Sequence, residues 1–158
     1  MSAPHNPGDI VENFTTQDQD GNTVSLSDYG ASPVVLFFYP RADTPGCTIE
    51  SCGFRDAFEQ FQKAGIVVLG ISRDDVKAQK KFKDKYDLPY DLLADPDMLL
   101  INRYDLIKPK NMYGKLVKGV KRTTYLIGPD QRLIHIFEEV QPAGHAEEVL
   151  ALLRKHSA

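Results

Sequence analysis

The chain has 158 residues, of which 42% are hydrophobic and 26% are charged, so the composition predicts one globular domain over residues 1–158 and excludes a disordered or fibrous protein. Its formal net charge of -3 gives no electrostatic footprint for nucleic acid, and no apolar run is long enough to span a membrane. It also lacks a signal-peptide pattern and has only two cysteines, too few for a secreted disulfide framework, so we predict a cytoplasmic protein.

The first half of the chain predicts two buried strands joined by a helix. A turn at Asp20-Gly21 between weakly alternating residues predicts a short N-terminal hairpin within residues 18–26. The runs VVLFFY at 34–39 and IVVLGIS at 66–72 are short, apolar and rich in β-branched residues, which is typical of strands buried on both faces. The segment between them has helical periodicity in its phenylalanines, which are Phe54, Phe58 and Phe61.

The second half predicts further helices and strands around an irregular middle. A helix over 74–86 leads to a short strand over 90–94. TTYLI at 123–127 and RLIHIFEEV at 132–140 flank a Gly-Pro-Asp-Gln turn and predict an antiparallel hairpin. A final amphipathic helix over 146–156 directs inward Val149, Leu150, Leu152 and Leu153. These elements predict an α/β fold with a central mixed β-sheet flanked by helices.

The first cysteine lies where a helix is predicted to begin. Thr44 suits the N-cap and Pro45 the first helical position, which places Gly46 and Cys47 in the first turn. Free backbone N–H groups and the positive end of the helix dipole favour a negative charge there, and such a position lowers the pKa of a cysteine. The alternative is a cysteine buried as a small apolar residue, and these residues alone leave the two interpretations nearly equal.

The second cysteine, Cys52, follows on a more polar face of the same predicted helix. Five helical residues separate Cα atoms by roughly 8 to 9 Å, beyond the limit of about 7 Å for an unstrained disulfide. A bond between Cys47 and Cys52 would therefore require the first turns of the helix to unwind. If the two thiols are instead unrelated, mild oxidation should form no disulfide.

No cofactor or metal is indicated elsewhere in the chain. The four histidines, His5, His135, His145 and His156, lack metal-ligand spacing, and each is interpreted as a surface or packing residue. No glycine-rich phosphate loop precedes a helix, so no nucleotide is implied. In a reducing compartment the two thiols can therefore serve redox chemistry or plain packing.

The segment FFYPRADTPGCTIESCGFRD, residues 37–56, resembles the active-site segment of the peroxiredoxins, which are thiol peroxidases with a thioredoxin-like fold. The resemblance is strongest to the bacterioferritin comigratory protein, or PrxQ, subfamily. It extends over nearly the whole chain and includes PGDIVENFTTQDQDGNTVSLSDY near the start, GIVVLGISRDD in the centre and GVKRTTYLIGPDQRL late in the sequence.

The resemblance implies a role for five residues. Cys47 matches the peroxidatic cysteine, Pro40 the proline that shields the thiolate, Thr44 the threonine that hydrogen bonds to the thiolate or the peroxide, and Arg122 the arginine that supports the negative charge. Cys52 matches the resolving cysteine of relatives that form an intramolecular disulfide. Without the resemblance, Thr44 would be interpreted as a helix cap and Arg122 as a solvated residue at a strand edge. Glu50 stays outside this set, since the sequence supports a solvated surface glutamate and a partner of the arginine equally.

The function implied is a monomeric atypical two-cysteine peroxidase that reduces hydrogen peroxide and organic hydroperoxides and is recycled by thioredoxin, or by glutaredoxin in its place. No cofactor, nucleic acid or membrane partner is implied. A disulfide reductase is disfavoured because the chain has no Cys-x-x-Cys motif. From a different class, a redox-sensing binding module or holdase could use the same cysteine pair, and rapid turnover with thioredoxin would distinguish the two.

Overall fold

The computed structural model describes residue 4 and residues 6–157, so the prediction for His5 lies outside the described residues. Its strands are β1 (Thr15–Gln17), β2 (Thr23–Ser25), β3 (Val34–Phe38), β4 (Val67–Ser72), β5 (Asp91–Ala94), β6 (Ile107–Met112), β7 (Lys115–Val120), β8 (Thr123–Ile127) and β9 (Leu133–Phe137). Its helices are α1 (Pro45–Lys63), α2 (Val76–Tyr86), α3 (Leu99–Arg103) and α4 (His145–Ser157), and a 3-10 turn covers Leu26–Tyr29.

Seven strands form a mixed sheet in the order β2-β1-β5-β4-β3-β8-β9. The central strands β3, β4 and β5 are parallel, whereas β8 pairs antiparallel with β3 and β9 antiparallel with β8. This arrangement confirms the predicted α/β class with a central mixed sheet.

Strand β3 is buried along its whole length because both faces of the sheet are covered. Side chains of a strand alternate between the faces. Val35 and Phe37 pack in one apolar cluster with residues of α1 and α4, among them Cys47, while Leu36 and Phe38 pack in a second cluster with residues that include those of α3. The continuous apolar run in the sequence is therefore explained by two cores, and the strand ends at the site described below.

Two parts of the chain differ from the prediction. The N-terminal hairpin forms, but its first strand, β1, lies before the predicted range 18–26. β1 also pairs with β5 through Gln17 and Ala94, so the hairpin extends the main sheet. The prediction of an irregular middle is wrong, because β6 and β7 form a second antiparallel hairpin. Its turn has positive φ at both Tyr113 (52°) and Gly114 (79°), the geometry of a tight hairpin turn that lacks the usual Asn-Gly signature.

Candidate active site

The loop between β3 and α1 carries two of the predicted site residues. It contains Pro40, which is half-buried, and ends at Thr44, the N-cap of α1, whose backbone is extended (φ -96°, ψ 157°). The Thr44 hydroxyl makes no capping hydrogen bond and donates instead to the carbonyl oxygen of Arg41 at 2.9 Å. Thr44 therefore occupies the predicted position, but its side chain stabilises the loop in this state of the protein.

Cys47 is the third residue of α1 and is fully buried, with 0% exposure. The backbone N–H groups of a first helical turn have no partner four residues earlier, so they favour negative charge at this end of the helix. Arg122 Nη1 donates to Cys47 Sγ at 3.5 Å. The sulfur thus faces a fixed positive charge, which suits a nucleophile that reacts as an anion, whereas its burial by itself acts against charge.

Arg122 reaches the cysteine because β8 begins immediately after it. β8 pairs with β3 through Phe38 and Thr123, and this register places Arg122 beside the loop that follows β3. Burial alone would lower the pKa of the guanidinium, but the negative charges of Cys47 and Glu50 outweigh burial and raise this pKa. Arg122 therefore remains a cation at every working pH.

Glu50 is the residue that sequence reasoning left out of the site. Its side chain is 0% exposed and accepts a hydrogen bond from Arg122 Nη1 at 2.9 Å, so the solvated alternative is wrong. Burial raises its pKa from 4.5 to about 7, although Arg122 acts in the opposite direction. Its second oxygen, Oε2, has no hydrogen-bond partner within the described part of the chain. The spacing of three residues from Cys47, about one helical turn, was the available signal.

Gly46 is required for the close approach of the arginine. A Cβ atom at this position would lie 2.9 Å from Arg122 Nη2 and 3.5 Å from Pro142 Cγ. Any larger residue would therefore displace the guanidinium from Cys47, which gives the Thr-Pro-Gly-Cys sequence a steric reason beyond the helix start.

A cleft of about 540 Å³ opens beside the arginine. Pro40 and Arg122 line it together with residues of the β6–β7 hairpin and of the segment after β9, which are Lys108, Pro109, Gly119, Val120, Glu139 and Val140. For comparison, one water molecule occupies about 30 Å³ in the liquid, so the cleft is much larger than a molecule of that size needs. It can therefore hold a substrate with an organic chain.

Cys52 lies five residues after Cys47 within uninterrupted α1, and both cysteines are free thiols. It is half-buried, and burial raises the pKa of its thiol although Arg55 acts in the opposite direction. In the wound helix the two cysteines face different directions, as the sequence predicts. Their reaction with each other would require a change in the conformation of α1.

The histidines with described side chains, His135 and His145, lie in the packed structure and belong to no metal site there. His145 is buried, with Nε2 2.8 Å from Thr124 Oγ1 and Nδ1 3.1 Å from Glu148 Oε1, and His135 is a half-buried residue of β9. The side chain of His156 lies outside the described residues. Across residue 4 and residues 6–157, no group of three or more His, Cys, Asp or Glu side chains is placed to hold a metal ion. No helix in that part of the chain is long and apolar enough to cross a membrane.

The buried Glu50 predicts a pH dependence of stability. Because folding raises the pKa of this carboxyl from 4.5 to about 7, the folded protein holds a proton that the unfolded chain releases, and stability falls as the pH rises through this interval. The protonated Glu50 carboxyl therefore makes its full contribution to the free energy of unfolding below pH 4.5. As the pH rises above 7, the free energy of unfolding falls by up to about 3 kcal/mol. Urea unfolding of the reduced protein at pH 5 and pH 8, compared with Glu50→Gln, should show a smaller decrease in the variant. An identical decrease in both proteins would contradict the assignment.

Comparisons of the sequence and of the structure with known proteins point to the same family. Residues 7–136 match the model of the AhpC/TSA family. A relative from Coxiella burnetii that bears the peroxiredoxin name bcp is 46% identical over 140 residues, which cover 89% of this chain and 93% of the relative. The crystal structure of PrxQ from Xylella fastidiosa, 37% identical, superposes with a TM-score of 0.92 over 99% of this chain and 100% of that one.

A third similar protein is the bacterioferritin comigratory protein of Xanthomonas campestris, which is 37% identical with a TM-score of 0.86 and 92% coverage of both chains. Its structures are described as trapped intermediate and ligand complexes that bear on its alkyl peroxide reduction activity. These neighbours confirm the predicted thioredoxin-like peroxiredoxin fold.

Proposed function

Because this chain belongs to the AhpC/TSA family and to its Bcp/PrxQ peroxiredoxins, and is therefore a peroxidase oxidoreductase, we propose that it reduces hydroperoxides through a sulfenic acid on Cys47. We further propose that Cys52 resolves this intermediate as an intramolecular disulfide, which thioredoxin reduces. The observation that carries the proposal is the contact of the Arg122 guanidinium with the buried Sγ of Cys47 at the start of α1.

In the first step the Cys47 thiolate attacks the terminal oxygen of the hydroperoxide. The S–O bond forms as the O–O bond breaks, the sulfur is oxidised to a sulfenic acid, and the leaving oxygen takes a proton to become water or an alcohol. Negative charge develops on the leaving oxygen, and Arg122, which lines the cleft, donates to it. Pro40 lines the same cleft and limits the access of water. For the predicted role of Thr44 as a donor to the reacting atoms, its hydroxyl must first release the carbonyl oxygen of Arg41.

The cleft supports a substrate range that includes organic hydroperoxides beside hydrogen peroxide. Its volume of about 540 Å³ leaves room for an alkyl chain, and Val120 and Val140 are apolar residues of its otherwise mixed lining that such a chain could contact. The alkyl peroxide reduction described for the Xanthomonas relative agrees with this proposal.

The second step joins Cys52 to Cys47. The Cys52 thiolate attacks the sulfenic sulfur, the S–S bond forms, and the oxygen leaves as water. Helical geometry separates the two residues, so the turns of α1 between them must unwind first. A dithiol reductant then breaks the disulfide by exchange and is itself oxidised, and thioredoxin is proposed for this role with glutaredoxin as the substitute. The cytoplasmic location and the monomeric state stay predictions.

Replacement of Cys52 by serine should separate the two steps. With thioredoxin, thioredoxin reductase and NADPH, wild-type protein should consume peroxide continuously, whereas Cys52→Ser should turn over at least about tenfold more slowly, since no disulfide forms for thioredoxin to attack. The variant should still consume one equivalent of peroxide at the wild-type rate. NADPH oxidation and mass spectrometry of the oxidised protein measure both quantities.

The outcome of this assay also addresses the alternative. Absence of wild-type turnover with thioredoxin and with glutaredoxin, together with reversible oxidation of Cys47, would favour a redox-sensing module or holdase. Full turnover by Cys52→Ser would instead contradict its role as the resolving cysteine.

A further inference from the structure

A buried hydrogen bond fastens the helical turn that separates the two cysteines. The hydroxyl of Tyr90 donates to the carbonyl oxygen of Ser51 at 2.7 Å. Ser51 lies between Cys47 and Cys52 in α1, and Tyr90 lies immediately before β5. The bond therefore connects the segment that must unwind during resolution to the residue that precedes the central strand β5.

The phenol is well placed to act as a fixed donor. Tyr90 is only 4% exposed. Its ring packs edge-on against Phe37, with centroids 5.7 Å apart, and at a tilt against Phe58, with centroids 6.2 Å apart. Burial raises the pKa of Tyr90 well above its ordinary value, so the hydroxyl keeps its proton. The ring cannot turn away without disturbing the core around the helix.

We propose that Tyr90 is a positioning residue that holds α1 wound between the cysteines and thereby sets the rate at which Cys52 reaches the Cys47 sulfenic acid. This inference rests on the proposed function, because it concerns the resolution step. Tyr90 touches no reacting atom and acts only through the Ser51 carbonyl.

The hydrogen bond between Tyr90 and Ser51 stabilises only the wound state of the helix. The hydrogen bond is present in the wound helix and is lost when the Ser51 carbonyl moves during unwinding. In α-helical geometry the same carbonyl also accepts from the N–H of Arg55, so loss of the phenol hydroxyl does not leave it unpaired. The net value of one such bond corresponds to an increase of about two- to tenfold in the unwound fraction. Peroxide attack takes place in the wound state, and its rate should not change.

Resolution competes with a second oxidation of Cys47. The sulfenic acid either condenses with Cys52 and releases water, or reacts with another hydroperoxide to form a sulfinic acid and an alcohol or water. Faster unwinding favours the disulfide. The peroxide dose that inactivates half of the enzyme should therefore rise by the same factor as the resolution rate.

Other contacts keep the helix in place when the Tyr90 hydroxyl is removed. Before the helix, Lys85 Nζ and the Tyr86 hydroxyl each donate to the Asp43 carboxylate at 2.8 Å. After Cys52, Arg55 Nη1 donates to the carbonyl oxygen of Tyr86 at 2.8 Å. These contacts flank the intervening turn without binding it, so Tyr90→Phe should loosen that turn selectively.

The test compares Tyr90→Phe with wild type and with Tyr104→Phe. Tyr104 is a matched control, because its buried hydroxyl has no hydrogen-bond partner among the residues that the structure describes. Reduced protein is mixed with hydrogen peroxide at a concentration that oxidises Cys47 faster than the disulfide forms. Samples are then quenched with acid, alkylated and analysed by mass spectrometry for the sulfenic, disulfide and sulfinic forms.

We expect disulfide formation about two- to tenfold faster in Tyr90→Phe, with unchanged consumption of the first peroxide and a matching rise in the inactivating dose. Tyr104→Phe should resolve at the wild-type rate. Unchanged resolution in Tyr90→Phe would overturn the inference and leave Tyr90 as a packing residue. If wild-type protein forms no Cys47–Cys52 disulfide at all, the proposed resolution step fails and this inference fails with it. Wild-type disulfide formation therefore tests the function separately from the role of Tyr90.

Discussion

Cys47→Ser is expected to abolish peroxide reduction. Removal of an enzyme's only nucleophile costs roughly 10⁶-fold in known cases, which would reduce turnover to the uncatalysed background. The physical reason is that the attacking species is a thiolate, and a serine hydroxyl is not ionised at neutral pH. Peroxide consumption, both in a single turnover and coupled to thioredoxin, measures the effect.

The appropriate control for this variant is Cys52→Ser, which removes one thiol from the same helix. It should keep the first turnover and lose only recycling. Because Cys47 is fully buried and serine differs from cysteine by a single atom, near-wild-type urea unfolding would exclude global unfolding as the cause of inactivity. Substantial residual peroxidase activity in Cys47→Ser would contradict the assignment of the nucleophile.

Arg122→Met is expected to lower the second-order rate constant for peroxide by about 10²- to 10³-fold, the cost typical of losing a donor to a developing oxyanion. The variant loses the contacts of Nη1 with Cys47 at 3.5 Å and with Glu50 at 2.9 Å, so the thiolate and the leaving oxygen lose their positive partner. The remaining Glu50 carboxyl is buried without a counter-charge and should hold its proton more firmly. Competition with a peroxidase of known rate measures the constant.

Two further variants sharpen the test of Arg122. Arg122→Lys retains the charge but loses the planar fork, and should fall between wild type and Arg122→Met. Arg103→Met alters an exposed arginine in α3 and should leave the rate constant unchanged. A similar decrease in all three variants would show that the effect is unspecific, and no decrease in Arg122→Met would remove Arg122 from the mechanism.

The local features of the site were predictable because they depend on short stretches of chain. A threonine, a proline and a glycine before Cys47 predict a helix start, and the structure begins α1 at Pro45. Short apolar runs predict the buried strands, and β3, β4 and β8 fall within one residue of their predicted bounds. The hairpin β6–β7 could not be predicted in the same way. Its strands are rich in lysine and lack a continuous apolar run, and its turn, Tyr113-Gly114, is not a typical hairpin sequence.

The sequence by itself placed one thiol at the start of a helix and a second thiol too distant for a bond in the wound helix. The reactivity of the first thiol and the role of the arginine were implied by the resemblance. Tertiary structure alone decided which groups meet that thiol. Arg122 is 75 residues from Cys47 and is brought to it by the pairing of β8 with β3. The same packing buries Glu50 and aims Tyr90 at Ser51. Periodicity and capping act within a few residues, whereas such contacts depend on strand register and on the packing of helices against the sheet, which no local pattern encodes.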